Sequence, residues 1–394
     1  MKIFDFSELA EKYRTELFDN VVPFWMEHSL DQKNGGFFTC LDESGKVYDT
    51  DKFIWLQARQ VWFFAMLYNK IDKKNEWLNV ALHGAEFLKK YGHDGNYDWY
   101  FSLNMQGQPL VQPYNIFSNT FAAMAFGQLS IAVNDKNYQM IAKKTFDRIM
   151  KRKDHPKGKY DKTFPGTRPL KNFALPMILC NLCLEIEHLL EKQVVNDTIE
   201  EAIWEVMHTF YNEEYQLVLE NVTLDGKFND SFEGRLLNPG HAIEAMWFIM
   251  DLGVRLNRKD LIERAVNITL KTLDYSWDKT YGGIFYFMDV KGYPPQQLEW
   301  DQKLWWVHLE TMISLLKGYQ HTRNKECLEW FEKVESYTLE HFKDKNNKEW
   351  FGYLNRQGEV LLRLKGGKWK GCFHVPRALY TCWKTSESID KSKQ

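Results

Sequence analysis

Gly35-Gly-Phe-Phe38, Gly95-Asn-Tyr-Asp-Trp-Tyr100, Gly158-Lys-Tyr160, Glu214-Tyr-Gln-Leu-Val218, Gly282-Gly-Ile-Phe-Tyr-Phe287 and Trp350-Phe-Gly-Tyr-Leu354 are variants of one aromatic–glycine segment. The copies lie roughly 55 to 70 residues apart, and a repeat of that period decides the architecture before any single motif does. Three copies run on into Asp42-Glu-Ser-Gly45, Asn104-Met-Gln-Gly107 and Asn355-Arg-Gln-Gly358. Each is a turn opened by Asn or Asp and closed by Gly, and between two short strands it predicts a hairpin.

Working outward, an amphipathic helix with a charged face precedes each copy: 6–28, 78–91, 138–152, 199–212, 260–277 and 325–342. Apolar residues at i, i+3 and i+4 with Lys and Glu between them mark a surface helix. A helix that is apolar nearly all round follows each copy: 53–67, 116–129, 170–190, 241–252, 304–316 and 374–383. Without a polar face such a helix is buried on all sides. An outer ring, an inner ring and a set of hairpins describe an all-α fold, an (α/α)6 barrel with short β-hairpins at one mouth. The inner helices start at that mouth, so the residues of their first turns line a cavity. Length alone allows two or three domains; the uninterrupted repeat predicts a single domain over 1–394, with a polar, frayed tail over 384–394.

Composition excludes several functions. The net charge of −2 and a pI near 6.6 leave no footprint for nucleic acid. The longest apolar stretches fall short of the ~20 residues of a membrane helix, and the start of the chain lacks the apolar core of a secretory signal. A cytoplasmic location is the expectation. Six cysteines are too few for a disulfide scaffold, and Cys180 and Cys183 read as core thiols of one buried helix. Aromatic residues are in excess, at 15%.

The polar residues at the inner-helix starts are the candidate site. They are Arg59, Ser118 and Asn119, Asn172 with Lys162 before it, His241 and Glu244, His308 and Glu310, and His374 and Arg377. Asn238 suits an N-cap and Pro239 the first helical position, which puts His241 in a first turn. The positive helix end is expected to lower its pKa, and Glu244, three residues on, to hold its ring. His374 opens the last helix in the same way. Arg59 and Arg377 lie among aromatics and need a carboxylate, for which Glu310 is the candidate; His308 falls on another face, as packing. There is no Walker A, G-x-G-x-x-G or H-E-x-x-H motif, and no metal-ligand spacing better than His241/Glu244, so no catalytic metal is expected. The Lys365-Gly-Gly-Lys-Trp-Lys-Gly371 run beside His374 reads as a mobile loop or lid.

Five strings carry a resemblance to a known family: Asn34-Gly-Gly-Phe-Phe-Thr-Cys-Leu-Asp42, Asp51-Lys-Phe-Ile-Trp-Leu-Gln-Ala-Arg-Gln-Val-Trp62, Leu237-Asn-Pro-Gly-His-Ala-Ile-Glu-Ala-Met-Trp247, Gln297-Leu-Glu-Trp300 with Lys303-Leu-Trp-Trp-Val-His-Leu-Glu310, and Lys370-Gly-Cys-Phe-His-Val-Pro-Arg377. Over nearly the whole chain they resemble the N-acylglucosamine 2-epimerases. The resemblance implies an (α/α)6 barrel that interconverts N-acetylglucosamine and N-acetylmannosamine, in sialic acid metabolism. It implies catalytic roles for His241, His374, Arg59 and Glu310, and substrate contacts by Lys162, Asn172, Arg377 and Glu244. It also implies no metal or redox cofactor, ATP as a non-consumed allosteric activator in some members, and a homodimer. Cellobiose 2-epimerases and mannose isomerases share the superfamily. Cellobiose epimerases carry a further histidine where this chain has Pro176, which counts against a disaccharide. A glycoside hydrolase or lyase on the same barrel needs paired acids, and a sugar-binding protein needs no histidine pair.

Overall fold

The structure, a computed structural model, describes residues 5–164 and 166–392. The contrast between its two kinds of helix is set by side-chain pattern. In α5 (Phe117–Val133) every residue from Ser118 to Ser130 is buried. In the next helix, α6 (Lys136–Arg152), burial follows Tyr138, Ile141, Ala142, Thr145, Phe146 and Ile149, one stripe at helical spacing. The same alternation holds along the chain. The inner helices are α3 (Ile54–Lys70), α5, α7 (Ala174–Ile186), α9 (Pro239–Leu256), α11 (Trp305–Thr322) and α13 (His374–Lys391). The outer ones are α4 (Asn75–Tyr91), α6, α8 (Lys192–Trp204), α10 (Lys259–Ser276) and α12 (Lys325–His341). The first outer helix is composite: α1 (Phe6–Thr15) passes through a π segment, Glu16–Val21, into α2 (Val22–His28). Pro23 accounts for the wide turn, because its ring would meet the carbonyl four residues back in a regular α-helix.

Each inner helix packs against its inner neighbour in sequence and against the outer helix that follows it. The last inner helix, α13, has no outer helix after it and packs instead on α1, which closes the ring. This is the (α/α)6 barrel expected from the repeat. Inner-to-outer connections are tight, and α5, α9 and α11 end on left-handed caps at Asn134, Asn257 and Arg323. Outer-to-inner connections carry the β structure. The short strand leading into an inner helix pairs with the hairpin of the next repeat: Lys52–Phe53 with Ser102–Leu103, Leu236–Leu237 with Met288–Asp289, Lys303–Leu304 with Tyr353–Leu354. A bridge from Asp42 to Leu364 joins the first repeat to the last. The turn at Gly107 shows the hairpin chemistry: Asn104 accepts from the backbone of Gln106 and Gln108, and Gly107 adopts φ 87°, open to glycine without strain.

Three expectations are corrected. Gly158–Tyr160 is a 3-10 turn, not a hairpin: the loop around it is almost entirely polar and has little to bury. The inner helix expected from residue 170 starts at Ala174, because Leu170–Asn172 is a strand paired with Asn221–Thr223. The polar stretch from Lys384 is helical to Lys391, held by buried Ser386 and Ile389; residues 393 and 394 lie outside the described residues.

The rim is fastened by fully buried lysines. Lys52 Nζ lies 2.7 Å from Asp31 and also bonds the Gly35 and Met105 carbonyls; Lys303 meets Asp278, and Lys365 meets Asp344 at 2.7 Å. Removing one partner of such a pair leaves a buried charge uncompensated. Lys52→Met is therefore expected to cost about 3–5 kcal/mol, read as a lower urea midpoint at unchanged slope.

Candidate active site

The site is built on the first turns of α9, α11 and α13. Asn238 caps α9, its Oδ1 accepting from the His241 backbone N–H at 3.1 Å, with Pro239 in the first turn. Gly240 lets the next layer approach, since a Cβ there would fall 2.5 Å from the Trp306 ring. Trp306 in turn stands between the two histidines, its ring centroid 5.4 Å from that of His241 and 5.8 Å from that of His374.

Below them lies an ionic cluster. Glu310, fully buried, receives His374 Nδ1 at 2.7 Å and Arg377 Nη2 at 2.6 Å on one oxygen, and Trp247 Nε1 at 2.9 Å on the other. The same Arg377 nitrogen also meets Glu244. Glu244, Glu310 and His374 place potential ligand atoms within 4.8 Å of one another, but the Arg377 guanidinium already supplies the cation that these carboxylates need.

Arg59 joins the cluster differently. Among the described residues it makes no salt bridge; its guanidinium lies 3.9 Å from the Phe121 ring centroid, 4.4 Å from that of Trp55 and 4.5 Å from that of Phe373. Its Nε has no hydrogen-bond partner. Burial and the neighbouring Arg377 pull its pKa down to about 9, which leaves it charged at neutral pH.

The two histidines occupy matching places and are held oppositely. His374 is pushed well below the ordinary imidazole value by burial, then by the Arg59 and Arg377 cations. Glu310 is its hydrogen-bond acceptor yet is shared with Arg377, so a neutral ring donating from Nδ1 is the stable state, with Nε2 free. For His241 burial also acts downward, but the Glu220 carboxylate, both oxygens 3.1 Å from Nδ1, outweighs it and the pKa rises. This corrects the expectation of a lowered value: a neighbouring carboxylate outweighs the helix end. It also corrects the role of Glu244, whose hydrogen bond goes to Arg377 rather than to His241.

His241, His374, Arg59, Glu310, Arg377 and Glu244 are thus brought together. Lys162 is not; it is exposed on the polar loop after α6. Asn172 is exposed too and caps α7 through Ala174 N, while its amide bonds Asn221 and the Glu220 carbonyl. His308 is fully buried, donating from Nδ1 to Leu304 O and accepting from Ile284 N, with burial taking it to about 3. Sequence reasoning missed Glu220 and Trp306. The signal for Glu220 was a lone carboxylate ending the apolar run Leu217-Val-Leu-Glu220. Its main chain is bonded on both sides, to Leu236 O and from Phe173 N, which fixes the carboxylate against His241.

Two imidazoles shifted in opposite directions beside a buried guanidinium, with Glu220, Glu244 and Glu310 each bonded to an imidazole or a cation, form the candidate site of an isomerase. Residues 36–378 match the family model described as N-acylglucosamine 2-epimerase (GlcNAc 2-epimerase), and the chain belongs to that family. It is 40% identical over 374 residues to the N-acylglucosamine 2-epimerase of Mus musculus, covering 92% of this chain and 88% of that one. In fold it is similar to the cellobiose 2-epimerase of Bacillus thermoamylovorans B4167, with a TM-score of 0.82, 19% identity and 97% and 99% of the two chains covered. It is also similar to a D-mannose isomerase, with a TM-score of 0.82, 17% identity and 98% and 100% covered. Among the described residues no helix is long and apolar enough to cross a membrane.

Glu220→Gln removes the charge that raises His241. Its imidazole is expected to titrate below the wild-type value, by NMR of the ring.

Proposed function

We propose that this protein interconverts N-acetyl-D-glucosamine and N-acetyl-D-mannosamine by epimerisation at C2. The observation that carries the reading is the opposed state of His374 and His241 across Trp306. The C2 proton is acidic only beside a free C1 aldehyde, so the sugar ring opens first. His374, neutral with Nε2 free, removes the proton as general base. The electron pair moves into the C1–C2 bond and the carbonyl π pair onto O1. Arg59, a cation with no salt bridge among the described residues, stabilises that enolate. His241, protonated through Glu220, returns a proton to the opposite face of C2. In the reverse direction the two rings exchange roles. Trp306 offers the aromatic face against which the open chain lies. Pro176, where cellobiose epimerases carry a histidine, favours the monosaccharide.

A hydrolase reading requires a carboxylic acid free to protonate a leaving group. Glu220, Glu244 and Glu310 are each committed to a cation or an imidazole, which disfavours it.

Activation by ATP belongs to the same proposal. A cleft of about 850 Å³ beside α6 is lined by Lys144, Lys151, Lys157 and Lys159 with Tyr97 and Tyr160, and by Asp94, Asp147 and Asp98, the last paired with Arg148 and Arg152. Its lysines suit the phosphates and its rings suit the base. None of these residues belongs to the histidine site.

The decisive assay incubates N-acetylmannosamine with the protein in D2O. N-acetylglucosamine carrying deuterium at C2 is the expected product, and retention of the original hydrogen there would overturn the mechanism. His241→Ala or His374→Ala should each lower kcat by about 10²- to 10⁴-fold. Activity falls at acid pH as His374 takes up its proton and at alkaline pH as His241 loses its own, so the plateau spans about 6.5. Both directions need one proton on the pair, so their pH profiles share the same two limbs.

A further inference from the structure

A second cavity lies inside the barrel, on the far side of the ionic cluster from the histidines. It has about 420 Å³ and is walled by α3, α7, α9, α11 and α13. Its residues come largely from the C-terminal halves of those helices, so it faces the mouth opposite the hairpins. Lys70, the exposed last residue of α3, stands at its outer end. Its inner wall includes Trp247 and Arg377, the two residues that hold Glu310 from behind.

Among the described residues lining this cavity, the buried side-chain atom without a hydrogen-bond partner is a donor. Arg377 is 4% exposed and its Nε has no partner. Asn181, 9% exposed, lines the same space with its amide. The carboxylates are already occupied: Glu185 accepts from Trp62 Nε1 at 2.7 Å and Gln128 Nε2 at 2.9 Å, and Asp251 accepts from Lys317 at 2.6 Å. A buried donor without an acceptor is costly, and the oxygen of an anion is what satisfies a guanidinium N–H. The volume fits a compound of monosaccharide size, and Tyr380 and Thr381 offer hydroxyls to it.

We propose that this far cavity is an effector site for an acidic monosaccharide, bearing a carboxylate or a phosphate, that acts on His374 through Arg377 and Glu310. The anion engages Arg377 Nε and draws the guanidinium from Glu310. Glu310 then faces His374 with one cation fewer beside it, the imidazole holds its proton more firmly, and the base is lost. The coupling must be reciprocal. Its effect on turnover rests on the proposed role of His374; the binding itself does not.

The test is calorimetric titration of the full chain, without substrate, using glucose 6-phosphate and glucuronate, with glucose as the neutral control. Saturable binding of either acid supports the site and names the anionic group. Lys70→Glu and Asn181→Leu, neither in the catalytic machinery, should each weaken binding about tenfold. In the epimerase assay the bound acid should lower kcat, leave the amino-sugar KM nearly unchanged and move the acid limb of the pH profile upward. Absence of binding by both acids, equal binding by both variants, or glucose binding as well as the acids would overturn the site. Binding with unchanged kcat, or inhibition competitive with the amino sugar, would overturn the coupling. If the protein has no epimerase activity, the proposed reaction fails while calorimetry still decides the site.

Discussion

A fully buried carboxylate is tolerated only if its environment supplies charge and hydrogen bonds in place of water. Glu310 meets that constraint with three donors, His374, Arg377 and Trp247. They come from α13 and α9, so satisfying one α11 side chain ties three inner helices together at the depth of the site. The same bonds direct the chemistry. Donation from His374 Nδ1 fixes the tautomer and leaves Nε2 as the basic nitrogen. Arg377, shared with Glu244, stops Glu310 from converting His374 into an imidazolium.

His241 and His374 occupy equivalent places in two repeats, yet they are not equivalent bases. The difference lies in the second partner of each carboxylate. Glu310 divides its charge between an imidazole and a guanidinium, and two arginines stand close to that imidazole. Glu220 gives both oxygens to His241 alone. Repetition therefore supplies two histidines, and departure from repetition holds them in two different ways, as the proposed acid and base require.

That departure marks the limit of what could be read from sequence. The repeat is written locally, in side-chain periodicity and in turns such as Asn104-Met-Gln-Gly107, so the two rings and the hairpins were legible. Residues in the first turns of inner helices were legible too, because ring closure brings them to one mouth: Arg59, Glu310 and Arg377 meet there. Glu220 was not, since it sits on a hairpin strand and reaches His241 only through pairing between repeats. The pairing of Glu244 was misread because i, i+3 proximity shows which residues can meet, not which stronger partner arrives from another helix. Lys162 and Asn172 lie on loop and strand, where a position in the chain does not fix a direction in space.

The aromatic excess follows from the same electrostatics. Buried cations in this protein rest on rings as well as on carboxylates: Lys303 lies 3.7 Å from the Phe285 centroid, Lys365 4.0 Å from that of Phe351 and Lys52 4.4 Å from that of Phe87. In the rim each lysine has both a ring and an aspartate, which stabilises it and cancels its charge. Among the described residues Arg59 has rings and no salt bridge, with Glu244 and Glu310 acting on it only at a distance. An aromatic face lowers the cost of burying a cation by about 0.5–2 kcal/mol without neutralising it. A carboxylate in the place of Phe121 would stabilise Arg59 more and leave it nothing to offer a developing oxyanion. The Arg59 cation stays available for the proposed reaction because the rings against which it packs carry no charge.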